Sequence, residues 1–223
     1  MIILGIDTAT PSTAVALAPG DGEPREVRAD AGEGGRPLHA QRVLVLADQL
    51  LTAAGIGWES LDAIAVGVGP GGYTGLRIGI ATARGLALSL GAVLVGVGTL
   101  RALGEPVRGR AAATVLDARR GEAFVAVYRD GGELLAPRVC DPAELARWTR
   151  HGGPDVLAVG DGALRFRAVL EADGVEVAPA QSDLHRVSAA AVCRLAAVGA
   201  VTAPVPDYLR LADAERAQDT STT

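Results

Sequence analysis

Lysine is missing from this 223-residue chain, and all 21 of its basic residues are arginines. That excludes Schiff-base and pyridoxal-lysine chemistry, and a Walker-type phosphate loop, which depends on its lysine. Aromatic residues are scarce: two Trp, three Tyr and two Phe. The core must therefore be built from Ala, Val, Leu and Ile, and an aromatic platform for stacking bases is not expected. The two cysteines, Cys140 and Cys193, show no C-x-x-C spacing, which fits a reducing compartment and buried structural roles. Long hydrophobic runs are lacking too. The longest, from Gly85 to Thr99, falls short of the ~20 residues of a spanning helix and is broken by Gly91, Gly96 and Gly98. Met1 to Asp7 has no basic segment and reaches an aspartate too early for a secretory leader. The expected location is cytoplasmic, with no membrane association.

What is present describes a globular protein. Hydrophobic residues make up 49% and charged residues 21%, a balance that excludes overall disorder. The net charge of −5 argues against a free-standing nucleic-acid binder.

The pattern of periods outlines an α/β chain. Met1 to Ile6, Thr13 to Ala18 and Glu23 to Ala29 read as strands, the last two joined by a Gly20-Asp21-Gly22 turn. From Leu38 the spacing becomes helical, with Val43, Leu46, Ala47, Leu50, Leu51 and Ala54 on one stripe and Gly55 as the stop. Ala63 to Val68 predicts a buried strand, Tyr73 to Leu90 a helix, and Ala92 to Val97 a further strand. The second half restarts with an apolar run, Ala111 to Leu116, that ends on Asp117, followed by a strand over Glu122 to Tyr128 and a turn at Asp130-Gly131-Gly132. Pro142 to Thr149 predicts a helix with Asp141 as its N-cap; Val156 to Val159 a strand; Ala163 to Leu170 and Val187 to Val198 helices. A shift of 110 residues carries Asp7 onto Asp117. The layout is thus a duplicated α/β unit with a cleft between two lobes, 1–104 and 105–211, and a disordered tail over 212–223.

Gly67-Val68-Gly69-Pro70-Gly71-Gly72 matches G-x-G-x-x-G between a strand and a helix. A dinucleotide site would also need an acidic residue about 20 positions on, and none stands between Gly72 and Arg101. The loop serves either as an anion seat at a helix N-terminus or as a means of close packing. The helix after it carries Gly75, Gly79 and Gly85, each costing ~0.8–1 kcal/mol relative to Ala. Gly75, Gly79 and Ala83 form a stripe of small residues that admits another backbone, either the chain's own sheet or a partner's helix. On the Leu38 helix, Leu44 and Val45 widen the apolar face beyond the stripe that one sheet covers.

Catalytic signals are thin. His39, His151 and His185 have no metal-ligand spacing, and there is no G-x-S-x-G elbow. Asp7 and Asp117 stand at strand ends, where a phosphate-handling fold places carboxylates, so Asp7, Thr8 and Asp117 are candidate nucleotide or cleft residues. Arg101, Arg108, Arg110, Arg119 and Arg120 form a basic run interrupted by Glu105, Asp117 and Glu122, which reads as a solvated face.

Several blocks taken together resemble the TsaB (YeaZ) family of bacterial tRNA threonylcarbamoyladenosine biosynthesis proteins. They are Ile3 to Thr10, Leu38 to Leu44, Gly69 to Gly79, Thr99-Leu100, Asp117-Ala118-Arg119-Arg120-Gly121-Glu122 and Tyr208-Leu209-Arg210. The resemblance implies a duplicated actin-like, ribonuclease-H-like fold with two lobes, each a mixed sheet flanked by helices. It further implies a non-catalytic scaffold acting beside a catalytic paralogue, TsaD, and through the complex with the ATPase TsaE, on adenosine 37 of tRNA. The paralogue holds a metal through paired histidines on the first long helix; here that helix offers His39, with Ala40 and Val43 where further histidines would be needed. No tightly bound cofactor is implied, ATP being expected only at a complex interface, and tRNA contact only through the complex.

Members of the family associate through first-lobe helices, as homodimers or with the paralogue. The residues expected at that interface are Arg42, Val45 and Leu46 on the first helix. On the second they are Tyr73, Gly75, Leu76 and Arg77, and then Gly79, Ile80, Ala83 and Arg84. Two alternatives stand beside the scaffold: an ATP-dependent phosphoryl or acyl transferase using Asp7 and Asp117, and a glycopeptidase-like metallopeptidase.

Overall fold

A computed structural model describes residues 1–20 and 22–209. Asp21 of the expected turn, Arg210 and the expected tail over 212–223 lie outside the described residues.

The first half runs β1 (Ile3–Asp7), β2 (Thr13–Ala18), β3 (Arg25–Ala29), α1 (His39–Ala54), β4 (Ala63–Gly67), α2 (Tyr73–Leu90), β5 (Val93–Val97) and α3 (Thr99–Gly104). The second half runs β6 (Ala112–Arg119), β7 (Glu122–Arg129), β8 (Gly132–Cys140), α4 (Pro142–Thr149), β9 (Leu157–Val159), α5 (Asp161–Arg165), α6 (Arg167–Ala172), β10 (Glu176–Val177) and α7 (Ala189–Ala197). The strand orders are β3-β2-β1-β4-β5 and β10-β9-β6-β7-β8. One is the other read in reverse, strand for strand, as a duplication requires. In each half the first strand runs antiparallel to the second and parallel to the fourth.

Period-two alternation decides the layers. In the first sheet Leu4, Ile6, Val15, Leu17, Ile64 and Val66 face α1 and α2. The opposite face is made of smaller residues, among them Ala14, Ala16, Ala63 and Ala65, so a helix can approach closely. That helix is α7: a Cβ on Gly5 would lie 2.6 Å from both the Ala189 carbonyl oxygen and Cys193 Sγ. The Cys193 thiol donates weakly to the carbonyls of Ile3 and Ala16 at 3.7 Å. On the other side of this central layer α3 abuts β6, where a Cβ on Gly104 would lie 2.9 Å from Thr114 Cγ2. A third apolar layer, including Val115, Val125, Leu145 and Leu170, joins the outer face of the second sheet to α4 and α6.

The two halves therefore exchange their closing helices: α3 packs on the second sheet and α7 on the first. The last described segment also returns to the first lobe. Thr202 bridges Gly96, and the Asp207 amide donates to the Val68 carbonyl at 2.8 Å.

Three local expectations need correction. Asp141 occupies the N-cap position of α4 but accepts no capping hydrogen bond from its side chain. The helix expected over Ala163 to Leu170 is two short helices, because Phe166 (φ −104°, ψ 20°) breaks the regular turn between them. The apolar run ending at Thr99 continues into α3, which the sequence pattern did not reveal. By contrast Gly55 stops α1 as expected, in the left-handed conformation (φ 69°), with its N–H on the carbonyls of Leu51 and Thr52.

Candidate functional site

β1 ends at Asp7, and the chain turns at once through Thr8 to Ser12 into β2. The Asp7 carboxylate fixes that turn by accepting the Ala9 amide on Oδ1 at 3.0 Å. Its other oxygen receives the Thr99 hydroxyl at 3.4 Å and lies against Gly67, where a Cβ would come within 2.0 Å of it. Thr99 also receives the Gly69 amide at 3.1 Å on its hydroxyl oxygen and returns its own amide to the Gly69 carbonyl at 2.8 Å. The first residue of α3 thus ties the glycine-rich block to Asp7. Burial pushes the Asp7 carboxyl up to about 7, opposed by the Ala9 and Thr99 hydrogen bonds.

The glycine-rich block is a seat for this turn. The Gly72 amide donates to the Ala9 carbonyl at 2.7 Å, and a Cβ on Gly71 would lie 2.5 Å from that same oxygen. Behind it, a Cβ on Gly75 would lie 2.1 Å from the Thr8 carbonyl oxygen, and one on Gly79 would lie 2.2 Å from Thr8 Oγ1. His39, the first residue of α1, closes the back wall. Its Nδ1 pairs with the Thr13 hydroxyl at 2.9 Å, its Nε2 faces Gly75, and burial lowers its pKa.

A cleft of about 460 Å³ opens between this turn, the N-terminus of α2 and the β6–β7 turn of the second lobe. No side chain caps α2 and no acidic residue stands in its first turn, so its positive end faces the cleft. Thr8 and Asp117 line the cleft, while Asp7 sits behind it. Asp117 holds the Arg119 amide at 2.9 Å and the Arg165 guanidinium at 3.0 Å. Asp161 receives the Asp117 amide at 3.0 Å, and burial raises its pKa.

The duplication thus places Asp7 and Asp117 in equivalent positions with unlike surroundings: among the described residues, Asp7 is buried without a cation in contact, whereas Asp117 is held by arginine. Among the described residues no three His, Cys, Asp or Glu side chains cluster in a way that could hold a metal ion. The basic run also resolves into separate contacts: Arg108 pairs with Glu105, Arg110 with Glu176 and Arg119 with Asp117.

The residues expected to meet a partner divide into two sets. Leu46, Gly75, Leu76, Gly79, Ile80 and Ala83 are buried within the chain itself. The close approach that the glycine stripe permits is taken by Thr8, which corrects the expectation that a second polypeptide fills it. Arg42, Val45, Tyr73, Arg77 and Arg84 remain on the surface. Tyr73 stacks on Tyr208 with centroids 5.0 Å apart, Arg77 lies 4.0 Å over the Tyr73 ring, and Arg77 Nε donates to the Tyr208 hydroxyl at 2.9 Å. Arg84 donates to the Pro204 carbonyl at 3.3 Å.

Beside Val45 (45% exposed), Leu44 is 48% exposed and Leu88 of α2 is 85% exposed. Leu88 escaped the sequence reading although it continues the spacing of Arg77, Ala81 and Arg84. Helical periodicity alone would have placed it there.

A family profile described as "TsaD: tRNA N6-adenosine threonylcarbamoyltransferase" matches residues 35–218. The chain is 38% identical over 141 residues to the tRNA threonylcarbamoyladenosine biosynthesis protein TsaB of Escherichia coli, covering 58% of this chain and 55% of that protein. It is 30% identical over 225 residues to TsaB of Bacillus subtilis, covering 96% of both. The chain belongs to the TsaB (YeaZ) family. A structure of YeaZ from Pseudomonas aeruginosa superposes with a TM-score of 0.73 at 28% identity, covering 93% of this chain and all of that one. The match to E. coli TsaB spans about half of that relative's length, whereas the match to B. subtilis TsaB spans nearly all of it. At the level of fold alone, a ROK hexokinase from Thermus thermophilus superposes with a TM-score of 0.50 at 15% identity, in keeping with an actin-like, ribonuclease-H-like architecture for this TsaB-family chain. No helix among the described residues is long and apolar enough to cross a membrane.

Proposed function

We propose that this TsaB-family chain is a non-catalytic scaffold in the formation of N6-threonylcarbamoyladenosine at position 37 of tRNA. It offers the outer face of α1 and α2 to a catalytic TsaD paralogue, and engages TsaE and tRNA through that complex. A second copy of the chain competes for the same face, and the work is done in the cytoplasm.

The observation that carries the reading is the aliphatic surface left uncovered on α1 and α2. Both helices have already filled the first sheet with Val43, Leu46, Leu50, Ile80 and Ala83, yet Leu44, Val45 and Leu88 still face water. Exposed aliphatics on the outer sides of two helices whose inner sides are already buried are candidates for an interaction surface. The unlike environments of Asp7 and Asp117 agree with a supporting role, since the Asp117 carboxylate is already occupied by arginine.

The test is complementation. In cells deprived of this chain, the threonylcarbamoyladenosine content of tRNA is measured by mass spectrometry after supplying variants. The wild type and a folded Asp7→Asn variant are expected to restore it, and a Leu44→Asp/Val45→Asp double variant to fail. Loss of modification with folded Asp7→Asn, together with ATP turnover by the purified wild-type chain, would instead establish the transferase reading.

A further inference from the structure

Residues 201–209 follow α7 and return to the first lobe as a strap that places few of its side chains in the core. Val201, Thr202, Ala203, Val205, Asp207 and Tyr208 are all exposed. Two backbone ties hold the strap to the first sheet and its glycine-rich loop. Thr202 exchanges both hydrogen bonds with Gly96, at 2.8 and 3.1 Å, and the Asp207 amide donates to the Val68 carbonyl at 2.8 Å.

The remaining ties come from α2. Arg77 Nε donates to the Tyr208 hydroxyl at 2.9 Å, and its guanidinium lies 4.0 Å over the ring of Tyr73, on which Tyr208 stacks. Arg84 donates to the Pro204 carbonyl at 3.3 Å. Both of these bonds end on neutral oxygens.

The strap touches two places at once. Helical spacing sets Arg77, Ala81, Arg84 and Leu88 on one stripe of α2, so the ties share a stripe with Leu88, which is exposed to water. At its other end the strap contributes Asp207, Tyr208 and Leu209 to the lining of the inter-lobe cleft, with Tyr73 of α2 in the same wall.

We propose that the strap couples the stripe to the cleft: a partner that covers α2 withdraws Arg77 and Arg84 from the strap and opens the cleft. The inference rests on the reading of α2 as a docking face, and it adds the chemistry of the partner, which presents carboxylates to the two guanidinium groups. Arginine binds a carboxylate more strongly than a phenol or a peptide oxygen. Such a partner therefore has the differential affinity that a shift between two states requires. Without the arginines the strap keeps two backbone ties and little buried apolar surface, the profile of a segment that opens locally. The coupling is reciprocal, so a molecule that holds the strap closed from the cleft side weakens docking by the same factor.

Hydrogen exchange and cysteine labelling of the full chain test this. Cys140 and Cys193 are buried, so in a Thr10→Cys variant a maleimide reports on the cleft that position 10 lines. In the free chain, Arg77→Gln/Arg84→Gln is expected to speed exchange over residues 201–209, and labelling of the cleft cysteine, at least five-fold. Saturating TsaD of the same organism is expected to speed both as much in the chain that keeps its arginines, while exchange in α2 slows. Unchanged rates in the double variant would overturn the proposal, and so would a bound TsaD that leaves strap and cleft as they were or protects them. A TsaD that does not bind removes the docking reading instead, and the double variant then decides whether the strap gates the cleft.

Discussion

Thr8 donates its hydroxyl hydrogen to the Gly75 carbonyl at 2.8 Å, so the turn after the first strand is bonded to the helix that follows the glycine-rich block. The helix comes this near because Gly75 and Gly79 have no side chains. This contact orients the α1–α2 layer over the first sheet, and with it the exposed aliphatics on the outer side.

Gly79→Ala is expected to destabilise the chain. Its Cβ would fall 2.2 Å from Thr8 Oγ1, and overpacking of about 1–3 kcal/mol outweighs a gain of about 1 kcal/mol in helix propensity. Gly85 is the matched control on the same helix: among the described residues, nothing beyond its chain neighbours and its own helix backbone lies within 4 Å of the place its added methyl would take. Gly85→Ala is expected to stabilise by about 0.5–1 kcal/mol. Urea unfolding of the two variants beside the wild type checks both signs.

Asp7 should impose a pH dependence. Its folded pKa, about 7, lies above the reference value of 3.8, so the folded state favours the protonated acid. The stability linked to that proton is complete below about pH 4 and is lost as pH rises through about 7. Relative to the wild type, Asp7→Asn is expected to gain roughly 2–4 kcal/mol between these limits and then level off. A difference in unfolding free energy that stays flat from pH 4 to pH 8 would contradict the assignment.

Both thiols should be inert in the native chain. Burial pushes Cys140 up to about 11 and Cys193 up to about 12, and the thiolate is the reactive form. A disulfide-exchange chromophore at pH 8 is expected to label neither cysteine until denaturant is added, and then both. Rapid labelling of Cys193 in the native state would mean that α7 leaves the first sheet readily.

Tyr208 holds the last described segment onto α2. Removing its ring in Tyr208→Ala deletes the stack on Tyr73 and the bond from Arg77, a loss of about 1–2 kcal/mol. Amide exchange is expected to accelerate over residues 201–209 and to stay unchanged in β1 and β4. Uniform acceleration across the first sheet would show that the segment is integral to the core.

Much of this architecture is legible in the sequence because its signals are local. Gly55 and Gly91 end α1 and α2 in the left-handed conformation, and the shift from Asp7 to Asp117 announces the duplication that the two strand orders display. The exchange of α3 and α7 is not legible, since periodicity states that a face is apolar and not which sheet covers it. The glycine stripe is ambiguous for the same reason: Gly75 and Gly79 show that something approaches closely, and the structure identifies it as Thr8. The partnership of Thr99 with Asp7 links positions far apart in the chain and leaves no local pattern.

The central claim is that the chain works by having the outer face of α1 and α2 covered. Sedimentation velocity of an equimolar mixture with the TsaD of the same organism tests it most directly, using the wild type and the Leu44→Asp/Val45→Asp double variant. The wild type is predicted to move with TsaD as one faster boundary, and the double variant, folded by circular dichroism, to leave two separate slow ones. A double variant that sediments with TsaD as the wild type does would contradict the account.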